Sequence, residues 1–98
     1  MPMGRKSLIV EQNREAINDL ARAHKAVSVA VFGSVARGDD TDASDVDFLV
    51  DFEPGSSLFD LLHLQDALAE LLGCDVDVIS AGGLTDRDDH IRREAIQL

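Results

Sequence analysis

The chain of 98 residues has few cysteines and few aromatic side chains. It contains one cysteine and four phenylalanines, and it has neither tryptophan nor tyrosine. A single cysteine excludes an internal disulfide, so we expect a reducing, cytoplasmic environment. The scarcity of aromatic rings argues against the stacking platforms with which many proteins bind single-stranded nucleic acid.

Positive charge is scarce as well. Nine lysine and arginine residues face nineteen aspartate and glutamate residues, which gives a net charge of −10. This balance leaves no basic face for direct contact with nucleic acid, although it suits a basic protein partner. No apolar run approaches the roughly 18 residues of a membrane span, and no apolar signal-peptide segment follows the basic N-terminus. We therefore expect neither nucleic acid nor a membrane as a direct partner.

The spacing of apolar residues predicts one α/β domain over residues 1–98. Helices are predicted over residues 7–24, 34–37, 58–72 and 85–97, and strands over residues 27–32, 45–52 and 75–79. Thr85 is the predicted cap of the last helix, which would offer Ile91, Ala95 and Leu98 to the core. A polar loop is predicted over residues 39–44. The fold class is therefore α/β, with a small mixed β-sheet and helices mainly on one face.

A glycine–serine turn follows the first predicted strand. Gly33 permits a phosphate to approach the backbone closely, and Ser34 offers a hydroxyl and an N–H donor. Ten residues separate Ser34 from Asp45, and Asp45 and Asp47 share one face of the next strand. Carboxylates and phosphate oxygens are the ligands that Mg²⁺ prefers. The pattern predicts a nucleoside triphosphate site with Asp45 and Asp47 as metal ligands.

Two further side chains extend this site. Asp77, on the third predicted strand, supplies a third carboxylate if the two strands are neighbours. It could then bind metal and accept the proton of an attacking hydroxyl. Arg37 could contact phosphate oxygens or brace its own loop, and the sequence leaves both roles open.

These motifs resemble the minimal nucleotidyltransferase family, a branch of the polymerase-β-like nucleotidyltransferase fold. The family signature is Gly-Ser, about ten residues, Asp-x-Asp, and a later acid. Gly33-Ser34, Asp45-Val46-Asp47 and Asp77 match it. The resemblance covers nearly the whole chain and implies catalysis by Asp45, Asp47 and Asp77, with nucleotide binding by Gly33, Ser34 and Arg37. It also implies ATP as substrate and two Mg²⁺ ions.

The resemblance further implies a partner. Small members of this family are antitoxins that transfer AMP from ATP to a tyrosine of a HEPN-domain ribonuclease toxin and so neutralise it. Larger relatives modify small molecules with the help of an additional acceptor-binding domain, for which 98 residues leave no room. Two alternatives stay open: a non-catalytic antitoxin that occludes the toxin, and a small-molecule nucleotidyltransferase with a separate acceptor-binding subunit.

Overall fold

The computed structural model describes residues 5–38, 45–83 and 89–98. The predicted loop at residues 39–44 and the predicted Thr85 cap lie outside these ranges. The helices are α1 (Arg5–Gln12), α2 (Arg14–Ala23), α3 (Ser34–Arg37), α4 (Leu58–Leu72) and α5 (Asp89–Glu94), and a 3₁₀ turn spans Ala81–Gly83. The strands are β1 (Ala26–Phe32), β2 (Val46–Phe52), β3 (Val76–Ser80) and β4 (Ile96–Gln97).

The four strands form one mixed sheet in the order β3-β2-β1-β4. β1 is antiparallel to β2 and to β4, whereas β2 and β3 are parallel. The connection between these parallel strands contains α4, as a crossover requires. The predicted mixed α/β sheet is confirmed.

The core lies between the sheet and the two helices α2 and α4. Val46, Phe48 and Val50 of β2 are fully buried, and the residues between them are not. The alternation predicted for this strand is therefore confirmed. Helix α4 packs Leu64 and Leu68 into the same core, and both are fully buried. The predicted range of α4 agrees with the observed one.

The predicted helix over residues 7–24 is two helices. The helix is interrupted at Asn13, whose backbone has φ −107° and ψ 14°. The Asn13 amide Nδ2 donates to the Ile9 carbonyl oxygen at 2.8 Å and competes there with the backbone N–H, which is 3.1 Å from the same oxygen. Beyond this interruption, α2 buries Ile17, while α1 presents Val10 to the core and leaves Ile9 only partly buried.

The prediction for the C-terminus was partly wrong. Helix α5 ends at Glu94, and Ile96–Gln97 forms β4 against the edge of β1, whose backbone groups would otherwise be unpaired. Leu98 does pack on the core, but Ile91 and Ala95 are not among the residues packed against it.

The first residue of the predicted strand 27–32 faces outward. Val27 is 63% exposed because the pairing of β1 with β2 shifts between Ala26 and Ser28, which inserts one extra residue. The rest of β1, from Val29 to Phe32, is buried as predicted. None of the helices in residues 5–38, 45–83 and 89–98 is long and apolar enough to cross a membrane.

Candidate active site

The turn at Gly33 brings the backbone of one strand end against a carboxylate of the next strand. Gly33 has φ +74° and ψ −150°, a conformation that essentially only glycine adopts. A Cβ atom placed on Gly33 would lie 2.7 Å from Oδ2 of Asp47. The missing side chain therefore makes room for the Asp47 carboxylate beside the turn.

Helix α3 follows this turn at once, as predicted. The N–H of Arg37 donates to the Gly33 carbonyl oxygen at 3.1 Å, and Gly38 ends the helix in the left-handed conformation at φ +77°. The buried Ser7 hydroxyl donates to the Val35 carbonyl oxygen at 2.9 Å and so ties α1 to α3. Ser34, the first residue of α3, is half-buried beside the turn.

Sheet register brings the three predicted carboxylates to one end of the sheet. Asp47 pairs with Phe32 on the antiparallel side and with Asp77 on the parallel side. Residues paired across neighbouring strands project to the same face, with their strands about 4.8 Å apart. Asp45 lies just before β2 on the same face by the alternation of the strand. Asp47 is half-buried, whereas Asp45 and Asp77 are exposed.

The electrostatics of this cluster centre on Asp47. Desolvation by burial, followed by the negative charges of Asp77 and then Asp45, raises the pKa of Asp47 above its ordinary value, and the Arg37 guanidinium opposes the shift. The ionised form of Asp47 is thus disfavoured, and a bound cation would stabilise it.

The donor set fits a divalent metal that arrives with a nucleotide. Within the described ranges, no three carboxylate, imidazole or thiol side chains are gathered closely enough to form a ready-made metal cage. Mg²⁺ rarely requires such a cage, because one or two carboxylates, water and substrate phosphates complete its octahedron. Asp47, with Asp77 across the sheet and Asp45 two residues earlier on the same face, provides the protein's share of such a shell.

Arg37 contacts Glu94, a residue that the sequence motifs did not assign to the site. Its Nη1 lies 3.2 Å from Oε2 of Glu94, which joins α3 to α5. The two residues are 57 positions apart, and no local pattern in the sequence signals the pair. The positive charge of Arg37 also opposes the rise in the pKa of Asp47, so Arg37 lies within electrostatic reach of both the carboxylate cluster and α5.

Of the two other acids on the predicted strand faces, Asp51 lies apart from the cluster, whereas Asp75 precedes β3 level with Asp45. Asp51 pairs with Ser28, four residues along β2 from Asp47, and is exposed. Asp75 is exposed ahead of β3, and its carbonyl oxygen accepts a hydrogen bond from the Val46 N–H at 3.1 Å.

Comparison with known proteins places this geometry in a family. The family model described as "Nucleotidyltransferase domain" matches residues 13–97. The chain is 38% identical over 78 residues to the protein adenylyltransferase MntA of Thermococcus cleftensis, an alignment that covers 71% of this chain and 79% of MntA.

Two solved structures share the fold. One, described as a "putative minimal nucleotidyltransferase", has a TM-score of 0.85 and 46% identity, and the match covers 94% of this chain and 95% of that one. The other is a mutant of the MntA–HpeT toxin–antitoxin complex, with a TM-score of 0.73 and 26% identity over 88% of this chain and 71% of that one. The chain therefore belongs to the nucleotidyltransferase domain family and has the fold of a minimal nucleotidyltransferase.

Proposed function

We propose that residues 1–98 form one minimal nucleotidyltransferase domain that transfers AMP from ATP to a tyrosine of a cognate HEPN ribonuclease toxin and thereby acts as its antitoxin. One observation carries this proposal. The Asp47 carboxylate lies against the backbone of the Gly33 turn, and its partner across the sheet is Asp77. The glycine–serine turn and two carboxylates therefore meet at one point.

The proposed reaction is an in-line displacement at the α-phosphorus of ATP. Asp77 accepts the proton of the tyrosine hydroxyl, whose oxygen then bonds to the α-phosphorus. The bond from the α-phosphorus to the bridging oxygen breaks, and pyrophosphate leaves with the bonding electron pair. Gly33 and Ser34 bind the phosphates through backbone N–H groups and the hydroxyl, and Arg37 offers its guanidinium to the phosphate oxygens.

Asp45, Asp47 and Asp77 are the proposed metal ligands. Bound Mg²⁺, with two ions expected, would neutralise charge on the attacking and leaving oxygens. The chain's own contribution is to keep the Asp47 carboxylate half-buried and fixed against the turn. A carboxylate that is already desolvated and repelled by neighbouring acids favours a cation more strongly than a solvated one does.

A protein acceptor is supported by the relatives and by the surface of the chain. Similar proteins are an adenylyltransferase named MntA and a member of a toxin–antitoxin complex. Leu58, Phe59 and Leu62 of α4 are 68%, 70% and 42% exposed, and they are neighbours on the helix surface. Adjacent exposed apolar side chains are typical of protein interaction sites.

The test is intact-mass analysis of the protein encoded next to this chain, after incubation with the chain, ATP and Mg²⁺. We expect a gain of one or more AMP units, and none with Asp47→Asn. Asp66→Asn is the matched control, because Asp66 is an exposed acid on α4. Transfer that persists in Asp47→Asn, or that disappears equally in Asp66→Asn, would refute the assigned role.

Occlusion of the toxin is a second candidate function, and the exposed apolar residues of α4 favour it. It predicts that folded Asp47→Asn still forms the complex and still protects cells from the toxin. Loss of protection with the complex intact would exclude it. If label from ATP appears only in a low-mass product, the chain acts on a small molecule instead.

A further inference from the structure

The sheet face that carries the carboxylates continues into a cavity at its other end. Register aligns Ala30 with Leu49 and Ser28 with Asp51, so these side chains project to the same face as Asp47. A cavity of about 240 Å³ lies here, roofed by Arg92 of α5. The face therefore runs from the Gly33 turn into a half-open cavity without leaving β1 and β2.

The cavity has an apolar part near the carboxylates and a polar part farther away. Ala30, Leu49 and Ala95 line it with small or aliphatic groups. Leu49 is two residues from Asp47 along β2, roughly 7 Å, and Asp51 is four residues away, roughly 13 Å. The cavity thus begins within reach of a group attached to a phosphate at the carboxylates.

The polar part combines an acceptor with donors. Asp51 contributes a carboxylate, and Arg92 and Gln97 line the same space. The Arg92 Nη2 donates to the Ala81 carbonyl oxygen at 3.1 Å, which ties the guanidinium to the 3₁₀ turn. A ligand here needs a flat apolar body and an edge with hydrogen-bonding atoms.

We propose that this cavity binds the nucleobase of the nucleoside triphosphate, an inference that rests on the proposed function. With the phosphates at Gly33 and Ser34, the ribose and base extend along the face into the cavity. A base with an exocyclic amino group, such as adenine, donates that group to Asp51. Uracil instead places the carbonyl oxygen O4 where adenine has its amino group, and the Asp51 carboxylate repels that oxygen.

The acceptor tyrosine fits this cavity less well. Its only polar side-chain atom is the attacking hydroxyl, which must lie beside Asp77 at the other end of the face. With the hydroxyl there, the ring has no polar atom left to match Asp51 and Arg92. The arrangement of polar groups therefore favours the base over the acceptor.

The first experiment compares ATP with inorganic tripolyphosphate, a base-free probe, by calorimetry of the full chain with Mg²⁺. We expect ATP to bind at least tenfold more tightly than tripolyphosphate. Ala95→Leu fills the cavity and should remove most of this advantage while tripolyphosphate affinity stays unchanged. The control is Ala23→Leu, at an exposed alanine of α2.

The second experiment tests Asp51, whose exposed position tolerates substitution. ATP should bind at least tenfold more tightly than UTP to the native chain, and Asp51→Asn should reduce this ratio to threefold or less, because an amide can also donate to a carbonyl oxygen. Asp66→Asn should leave the ratio unchanged.

The outcomes distinguish failure of the base-binding inference from failure of the proposed function. If the native chain binds ATP and tripolyphosphate equally, or if Ala95→Leu weakens both equally, the inference about the base is overturned and the proposed transferase stands. An ATP-to-UTP ratio that Asp51→Asn does not change overturns the role of Asp51. If the native chain binds neither ATP nor tripolyphosphate, the proposed function itself fails.

Discussion

Replacement of Gly33 by alanine should separate the stability of the fold from the geometry of the site. The backbone of Gly33, at φ +74° and ψ −150°, lies where a side chain costs about 1–3 kcal/mol of folding free energy. The new Cβ would also lie 2.7 Å from Oδ2 of Asp47, whereas ordinary contacts begin at 3.4 Å. The carboxylate oxygen must therefore retreat by about 0.7 Å.

These two effects appear in different measurements. The retreat of a side-chain end is energetically cheap, so urea unfolding should report only the backbone cost of about 1–3 kcal/mol. Activity should fall much further, since a displacement near 1 Å in a catalytic group costs on the order of 100-fold in rate. The rate of AMP transfer at saturating ATP and Mg²⁺, measured below the melting temperature, provides the second readout.

Gly73→Ala is the matched control. Gly73 has φ +69° at the end of α4, and a Cβ there would meet nothing within 4 Å. We expect a stability loss of about 1 kcal/mol and unchanged transfer. If Gly33→Ala loses stability as Gly73→Ala does and keeps full activity, then the contact between Gly33 and Asp47 does not position the carboxylate.

Three further predictions address charge, packing and anchoring. Asp47→Asn should stabilise the fold at neutral pH, because the raised pKa of Asp47 means that its ionised form costs folding free energy. Urea unfolding as a function of pH should show this gain in stability vanish as the pH falls below the ordinary pKa range of an aspartate. A gain that is independent of pH, or a loss of stability, would contradict the assigned repulsion. Leu64→Ala should cost about 2–5 kcal/mol by the same assay because Leu64 is fully buried, whereas Phe59→Ala, at a 70% exposed side chain, should cost less than about 0.5 kcal/mol; similar losses would refute the placement of the core. Ser7→Ala should cost about 1 kcal/mol through loss of the buried hydrogen bond to Val35, and hydrogen exchange should show faster opening of α3; unchanged exchange would argue against this anchor.

Local periodicity accounts for the parts of the fold that were predicted correctly. Helix α4 begins after Ser57, whose backbone N–H donates to Asp60 at 2.9 Å, and ends at Gly73 in the left-handed conformation. Both ends are encoded within a few residues of the helix, and so is the alternation of β2. The turn at Gly33 was predicted for the same reason.

The failures have non-local causes. Ile96 and Gln97 continue a helical pattern in sequence, but the unpaired edge of β1 converts them into a strand. Val27 faces solvent because of a shift in pairing with a distant strand, which its own apolar neighbours do not encode. The contact between Arg37 and Glu94 depends on where α5 lies relative to α3, so no window of sequence could contain it.

The candidate site combines both kinds of information. Asp45 and Asp47 share a face by alternation, but the approach of Asp77 requires the parallel register of β2 and β3. That register places Asp77 beside Asp47 although repulsion between the two raises the pKa of Asp47 and so opposes folding. Because this arrangement costs stability in the absence of a cation, its most direct explanation is that it is needed to bind one. The strained backbone of Gly33 has the same explanation, because it leaves room for the Asp47 carboxylate. That carboxylate lies among the charges of Asp45, Asp77 and Arg37.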